Sequence, residues 1–297
     1  MLTAFTFPGQ GAQRAGMLAQ LPRTEVAEAR VHEAEKVLGQ AVRTLDTAEA
    51  LTDTRNVQLS LLISGVIWGE HFQQQSGKPD FVLGLSIGAY PAAVVAGILE
   101  FSDALQLVAL RGQLMQQAYP SGYGMLALIG ASRYAIETVV DAQRAQGRDV
   151  FLANLNAEQQ FVLAGERSAL RESVELLKAS VPCAGQMLDV PVPSHCELLS
   201  EQAEILAGAF AEVEIRSSNC RYVSATRARV LHKQEDIRRD LAQNMSLQMH
   251  WHDSCQMLVE RGLERVIEMP PGNSLTGLFR RVLPSGICKA LQSDIQT

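Results

Sequence analysis

The chain has 297 residues, 47% of them hydrophobic and 20% charged, enough to bury one large core and a smaller satellite. A formal net charge of −6 argues against nucleic acid as the main partner. No basic, apolar signal segment opens the chain, and apolar stretches such as Leu61 to Trp68 fall far short of the roughly 20 residues of a membrane span, so a soluble, cytoplasmic protein with no membrane role is expected.

In chain order, Leu2-Thr3-Ala4-Phe5-Thr6 reads as a strand and runs into Phe7-Pro8-Gly9-Gln10-Gly11-Ala12-Gln13. Gly9-x-Gly11-x-x-Arg14 lacks the third glycine of a dinucleotide fingerprint, which makes a nucleotide role a poor fit. Further on, the apolar run Phe81-Val82-Leu83 precedes Gly84-Leu85-Ser86-Ile87-Gly88, and the helical Ala92-Ala93-Val94-Val95-Ala96 follows. A Gly-x-Ser-x-Gly segment between strand and helix is the pattern of a nucleophile elbow: the glycines allow a turn tight enough to lift the serine hydroxyl clear of the sheet. A plain strand-to-helix turn would read the same way. Arg111 then falls among Leu107, Val108, Leu110, Leu114 and Met115, the neighbours of a mostly buried helix, although an isolated helix arginine is more commonly solvated.

The pattern shifts near Gly122. Strand Met125–Ile129, helix Arg133–Arg144, strand Asp149–Asn154, strand Gln160–Leu163, helix Arg167–Ala179 and strand Cys183–Leu188 follow in the βαββαβ order of a ferredoxin-like unit. Beyond it, two prolines stiffen Pro191-Val192-Pro193-Ser194-His195. Cys196 adjoins His195, yet neighbouring side chains on an extended segment point to opposite faces, which disfavours a cysteine nucleophile. Strands expected at Ala4–Phe7, Phe81–Leu85, Arg221–Ser224 and Arg265–Glu268 would build a mainly parallel sheet. His250 and His252 flank Trp251 and would share one face of a strand, but no third ligand is evident and no metal is expected. The cysteines, Cys183, Cys196, Cys220, Cys255 and Cys288, are odd in number and scattered, so free thiols are expected rather than a disulfide framework.

Taken together, Phe7-Pro8-Gly9-Gln10-Gly11, the serine pentapeptide and Pro193-Ser194-His195 resemble the malonyl-CoA:acyl-carrier-protein transacylases. The resemblance extends through Gln58 ahead of Leu61-Leu62-Ile63, Arg111-Gly112, Asn154-Leu155-Asn156 with Val162-Leu163-Ala164-Gly165, Trp251, and Pro271 to Leu278. Within that family, Ser86-Ile87-Gly88-Ala89-Tyr90 and Tyr119 to Met125 look most like the transacylase (epsilon) subunit of malonate decarboxylase. Leu85, Ala89 and Ala157-Glu158-Gln159 depart from the family's usual histidine, glutamate and Ser-Pro-Gly turn, which bears on substrate and carrier preference.

The resemblance implies a large α/β-hydrolase-like domain (1–121 and 191–297) with an inserted ferredoxin-like domain (122–190) and a site in the cleft between them. It further implies Ser86 as nucleophile, His195 as base, the N–H groups of Gln10 and Ile87 as oxyanion donors, and Arg111 as the partner of the malonyl carboxylate. Gln58 and Asn156 would help line the pocket. A serine hydrolase would orient its histidine with an acid lying between the two in sequence, and none stands out. The transacylases use a backbone carbonyl instead, at the position occupied here by Asn244. Malonyl-CoA would be the donor, no permanent cofactor would be bound, and the acceptor would be an acyl-carrier protein with a CoA-like prosthetic arm. Arg227 with Arg229, or Arg280 and Arg281 with Lys289, would offer it a basic patch. The alternatives are the fatty-acid-synthesis malonyltransferase, a serine esterase or thioesterase, and a non-catalytic carrier-docking subunit.

Overall fold

The computed structural model describes residues 1–291. The first part of the chain folds as β1 (Leu2–Phe7), α1 (Glu25–Leu38), α2 (Thr54–Ser76), β2 (Phe81–Gly84), α3 (Ala89–Val95) and α4 (Phe101–Ala118). The middle gives β3 (Tyr123–Ile129), α5 (Arg133–Ala145), β4 (Val150–Ala157), β5 (Gln160–Glu166), α6 (Arg167–Lys178) and β6 (Ala184–Met187). The remainder gives α7 (Ser200–Phe210), β7 (Arg221–Ser224), β8 (Arg229–Leu231), α8 (Gln234–Gln243), α9 (Trp251–Glu260), β9 (Leu263–Glu268), α10 (Ser274–Val282) and β10 (Ile287–Ala290).

Two sheets result. The larger runs β10-β9-β1-β2-β7-β8, parallel except where β8 folds back on β7. Its central strands are apolar on both faces because helices cover both. Phe5, Phe7 and Val82 face one core, which α2 and α3 complete; Ala4, Phe81 and Leu83 face another, shared with α9 and α10. Helix α2 is buried on most sides from Val57 to Gly69, and Asp53 caps its start by accepting from the N–H groups of Arg55 and Asn56. The sequence reading did not anticipate β8 or β10, both short edge strands with little apolar signal.

The smaller sheet runs β4-β5-β3-β6, antiparallel throughout, with α5 and α6 as its connections, the ferredoxin-like arrangement. Leu126, Leu128, Leu152 and Leu163 pack on one face beneath Ile136, Val140, Leu170 and Val174. On the other face Met125, Phe151, Ala153, Val162 and Ala164 join the larger core. Backbone bonds fasten the seam: Met249 N–H donates to Ala153 O and Leu155 N–H to Met249 O, each at 2.8 Å. Gln248 Nε2 adds a 2.6 Å bond to the Leu152 carbonyl.

Candidate active site

Strands β1 and β2 lie in register with Phe7 opposite Gly84, so the loops leaving them emerge side by side. Leu85 N–H donates to the Phe7 carbonyl at 3.0 Å and closes the gap. A Cβ on Gly84 would fall 2.0 Å from the Gly88 carbonyl carbon, and one on Gly88 would fall 2.2 Å from the Phe7 carbonyl oxygen. Only glycine fits at either position. Between them Ser86 is driven to φ 57, the left-handed region an L-residue avoids, which is the strained elbow that the spacing suggested. Ile87 follows in the short 3-10 turn Ser86–Gly88, whose first N–H groups have no helical acceptor behind them.

His195 is buried and also adopts a positive φ of 64. Its backbone N–H donates to Met245 O at 2.7 Å, and its Nδ1 lies 2.8 Å from the Asn244 carbonyl. A carbonyl only accepts, so Nδ1 carries the proton and Nε2 keeps a free lone pair. Burial, and then the positive charge of Arg111, push the imidazole pKa down to about 4. The ring is therefore neutral at pH 7, as a base must be.

Arg111, on α4, is fully buried. Its Nη1 donates to Gln58 Oε1 at 2.7 Å, and its Nη2 to Asn244 Oδ1 at 3.1 Å and Ser86 Oγ at 3.3 Å. The guanidinium also stands 5.9 Å from the Tyr90 ring centroid, while Nε has no protein partner among the described residues. No carboxylate pairs with it among the described residues, and burial lowers its pKa. A buried cation held only by neutral acceptors strongly favours an anion arriving beside it. That anion would sit next to Ser86 Oγ.

Asn244 enters this cluster twice. Its carbonyl meets His195, while its carboxamide accepts from Arg111 and places Nδ2 3.4 Å from the Ser86 carbonyl. The carboxamide's part was missed in the sequence, where only the main-chain oxygen was assigned a use. A cavity of about 340 Å³ opens above the serine, with Gln10, Asn154, Asn156, Ser194 and His195 among the residues on its wall. Asn154 and Asn156 each keep a buried Oδ1 without a partner among the described residues. Neither Gln58 nor Arg111 is on the cavity wall, which for Gln58 corrects the expected pocket lining: both are fully buried, Gln58 against Arg111, and Arg111 meets the cavity only through Ser86 Oγ at 3.3 Å.

Other readings fare differently. Cys196 Sγ donates to Pro193 O at 3.5 Å, and burial pushes its pKa up to about 12, so it is no thiolate. His250 and His252 lie at the start of helix α9 and not on a strand, which corrects the expected shared face. His250 Nδ1 meets Asp253 at 3.3 Å, and no group of three metal-ligating side chains occurs among the described residues. All five cysteines are free. Among the described residues no helix is long and apolar enough to cross a membrane.

The acyl transferase domain model matches residues 4–294. The malonyl CoA-acyl carrier protein transacylase of Escherichia coli (strain K12) is 34% identical over 294 residues, covering 97% of this chain and 95% of that protein. An acyl carrier protein S-malonyltransferase from Vibrio cholerae O1 biovar eltor superposes with a TM-score of 0.91 at 34% identity, covering 98% of this chain and 97% of that one. A malonyl-transacylase solved in complex with its type II PKS acyl-carrier protein also superposes at 0.91, with 33% identity and 98% and 96% coverage.

Proposed function

Because the chain belongs to the acyl transferase domain family, among the malonyl CoA-acyl carrier protein transacylases, we propose that it moves a malonyl group from malonyl-CoA to a carrier-protein thiol through a malonyl ester on Ser86. The observation that carries this reading is Arg111: a fully buried guanidinium, 3.3 Å from the serine oxygen, with no acid of its own among the described residues. A malonyl thioester presents a carboxylate close to its reacting carbonyl, and an acetyl or long-chain thioester does not.

With the carboxylate on Arg111, Ser86 Oγ attacks the thioester carbonyl as His195 Nε2 takes its proton. The negative oxygen that forms is met by the N–H groups of Ile87 and Gln10, each of which contributes on the order of 3 kcal/mol in such sites. The C–S bond then breaks, and His195 returns its proton to the CoA sulfur. In the second half the carrier arm's thiol gives its proton to His195, attacks the ester and leaves Ser86 with its hydroxyl restored. Asn244 orients the base, Gln58 steadies the guanidinium, and Asn156 belongs to the wall along which the arm enters.

The domain boundaries near 121 and 191 belong to the same proposal, the last six residues lying outside the described region. So does a cytoplasmic setting, which five unpaired thiols favour. Arg227, on the turn beyond β7, with Arg229, which opens β8, or Arg280, Arg281 and Lys289 would face an acidic carrier. The setting we favour is malonate decarboxylation, on the segments at Ser86–Tyr90 and Tyr119–Met125. Fatty-acid synthesis would use the same chemistry, and comparing transfer rates to the two kinds of carrier separates them. Intact-mass analysis after mixing with malonyl-CoA tests the core of the reading. A malonyl adduct on the wild type that disappears in Ser86→Ala is expected; an adduct retained by Ser86→Ala removes Ser86 from the mechanism.

A further inference from the structure

What fixes the Asn244 carbonyl lies one turn earlier in α8. Asn244 caps that helix, and its N–H donates to the Asp240 carbonyl. The Asp240 side chain is 2% exposed and accepts three hydroxyls: Tyr222 at 2.9 Å, Ser224 at 2.5 Å and Thr226 at 2.7 Å. Tyr222 and Ser224 belong to β7 and Thr226 to the turn after it, so the carboxylate fastens the end of α8 to the sheet. From the other side Tyr90 Oη donates to the Leu241 carbonyl at 2.9 Å, and the same ring lies under the Arg111 guanidinium.

Stability alone is a poor reason for an acid here. The negative end of the helix dipole opposes an anion in the last turn, and burial raises the cost further. A carboxylate does offer what no other small side chain can, two oxygens that accept several hydroxyls at once and hold them in one geometry. We propose that Asp240 is a positioning residue for acyl transfer, anchoring the last turn of α8 so that the Asn244 carbonyl holds His195 and the Asn244 carboxamide holds Arg111. It takes, at one remove, the orienting part of the acid that is missing between Ser86 and His195. The inference rests on the reading of His195 as the base.

The test is single-turnover acylation by malonyl-CoA in Asp240→Ala and Asp240→Asn, read beside the proton NMR signal of His195 Nδ1–H in folded protein. Asp240→Ala is expected to slow acylation about 10- to 100-fold, the scale of a displaced catalytic group, and to shift or broaden that signal. Asp240→Asn keeps the shape and one accepting oxygen and should recover most of the rate. If Asp240→Ala does not fold, Tyr222→Phe removes one donor without opening a cavity, and a several-fold slower acylation with the same spectral change is expected. A folded Asp240→Ala, or Tyr222→Phe in its place, that acylates within about twofold of wild type overturns the inference, as does slowing with an unmoved Nδ1–H signal. His195→Ala separates the two levels. Normal acylation by that variant defeats the base itself, whereas its loss beside a normal Asp240→Ala defeats only the positioning role.

Discussion

Arg111 carries its charge among neutral neighbours, and in the proposed function that asymmetry is what selects the malonyl group. Arg111→Ala should lower kcat/KM for malonyl transfer far more than for acetyl transfer, since only malonyl loses a charge-assisted contact. The malonyl-to-acetyl ratio should fall roughly tenfold to a thousandfold, or about 1.4 to 4 kcal/mol. Arg111→Lys should restore part of it, an ammonium lacking the planar two-point grip. Equal losses for both acyl groups would make Arg111 a structural residue. His195 gives a second residue-scale prediction. Its pKa of about 4 places the acid limb of kcat/KM near that value instead of the ordinary 6.5. A bound carboxylate offsets the charge of Arg111, so the acid limb of kcat should lie at higher pH than that of kcat/KM. Because the unfolded chain binds this proton between pH 6.5 and 4 while the folded chain does not, His195 makes stability fall as pH falls through that window. An acid limb of kcat/KM at or above pH 6.5 would contradict this assignment.

At the scale of elements, the elbow holds Ser86 at a strained positive φ on the cavity wall. Gly84→Ala drives a methyl into the Gly88 carbonyl and should cost about 3 kcal/mol or more, seen as loss of folded protein in urea titration. Ser86→Gly should gain about 1 kcal/mol by relieving the positive φ, at the expense of all acyl-enzyme. A neutral or destabilising Ser86→Gly would mean that the turn stores no strain. The elbow was legible because glycine spacing and the flanking apolar runs are local. The Pro193-Ser194-His195 segment was legible through resemblance. The end of α8 was legible only in part: resemblance pointed to the Asn244 carbonyl, whereas Asp240 and the Asn244 carboxamide carried no signal, and only the fold brings Tyr222, Ser224, Thr226 and Arg111 against them. Likewise β8 and β10 are three and four residues long, too short for a period-2 signal to stand out.

Across the whole molecule, the two sheets share a core and a backbone seam at Met249, which sits five residues after Asn244. Thermal unfolding is therefore expected as one cooperative transition, with near- and far-ultraviolet signals coinciding, and two separated transitions would count against the shared core. Met249→Pro removes the N–H that donates to Ala153 and should lower both the melting temperature and the acylation rate. The βαββαβ pattern announced the small sheet because each of its elements is local. How its second face closes over the serine was beyond the sequence, since Met125, Phe151 and Val162 look like any core residues. That closure brings Asn154 and Asn156 to the cavity. The most direct measurement isolates the malonyl-enzyme free of CoA and mixes it with a carrier bearing its thiol arm. The account predicts that the malonyl group leaves Ser86 for the carrier thiol much faster than it is released as free malonate. Release as malonate at a rate indifferent to the carrier would contradict it and make the protein a hydrolase.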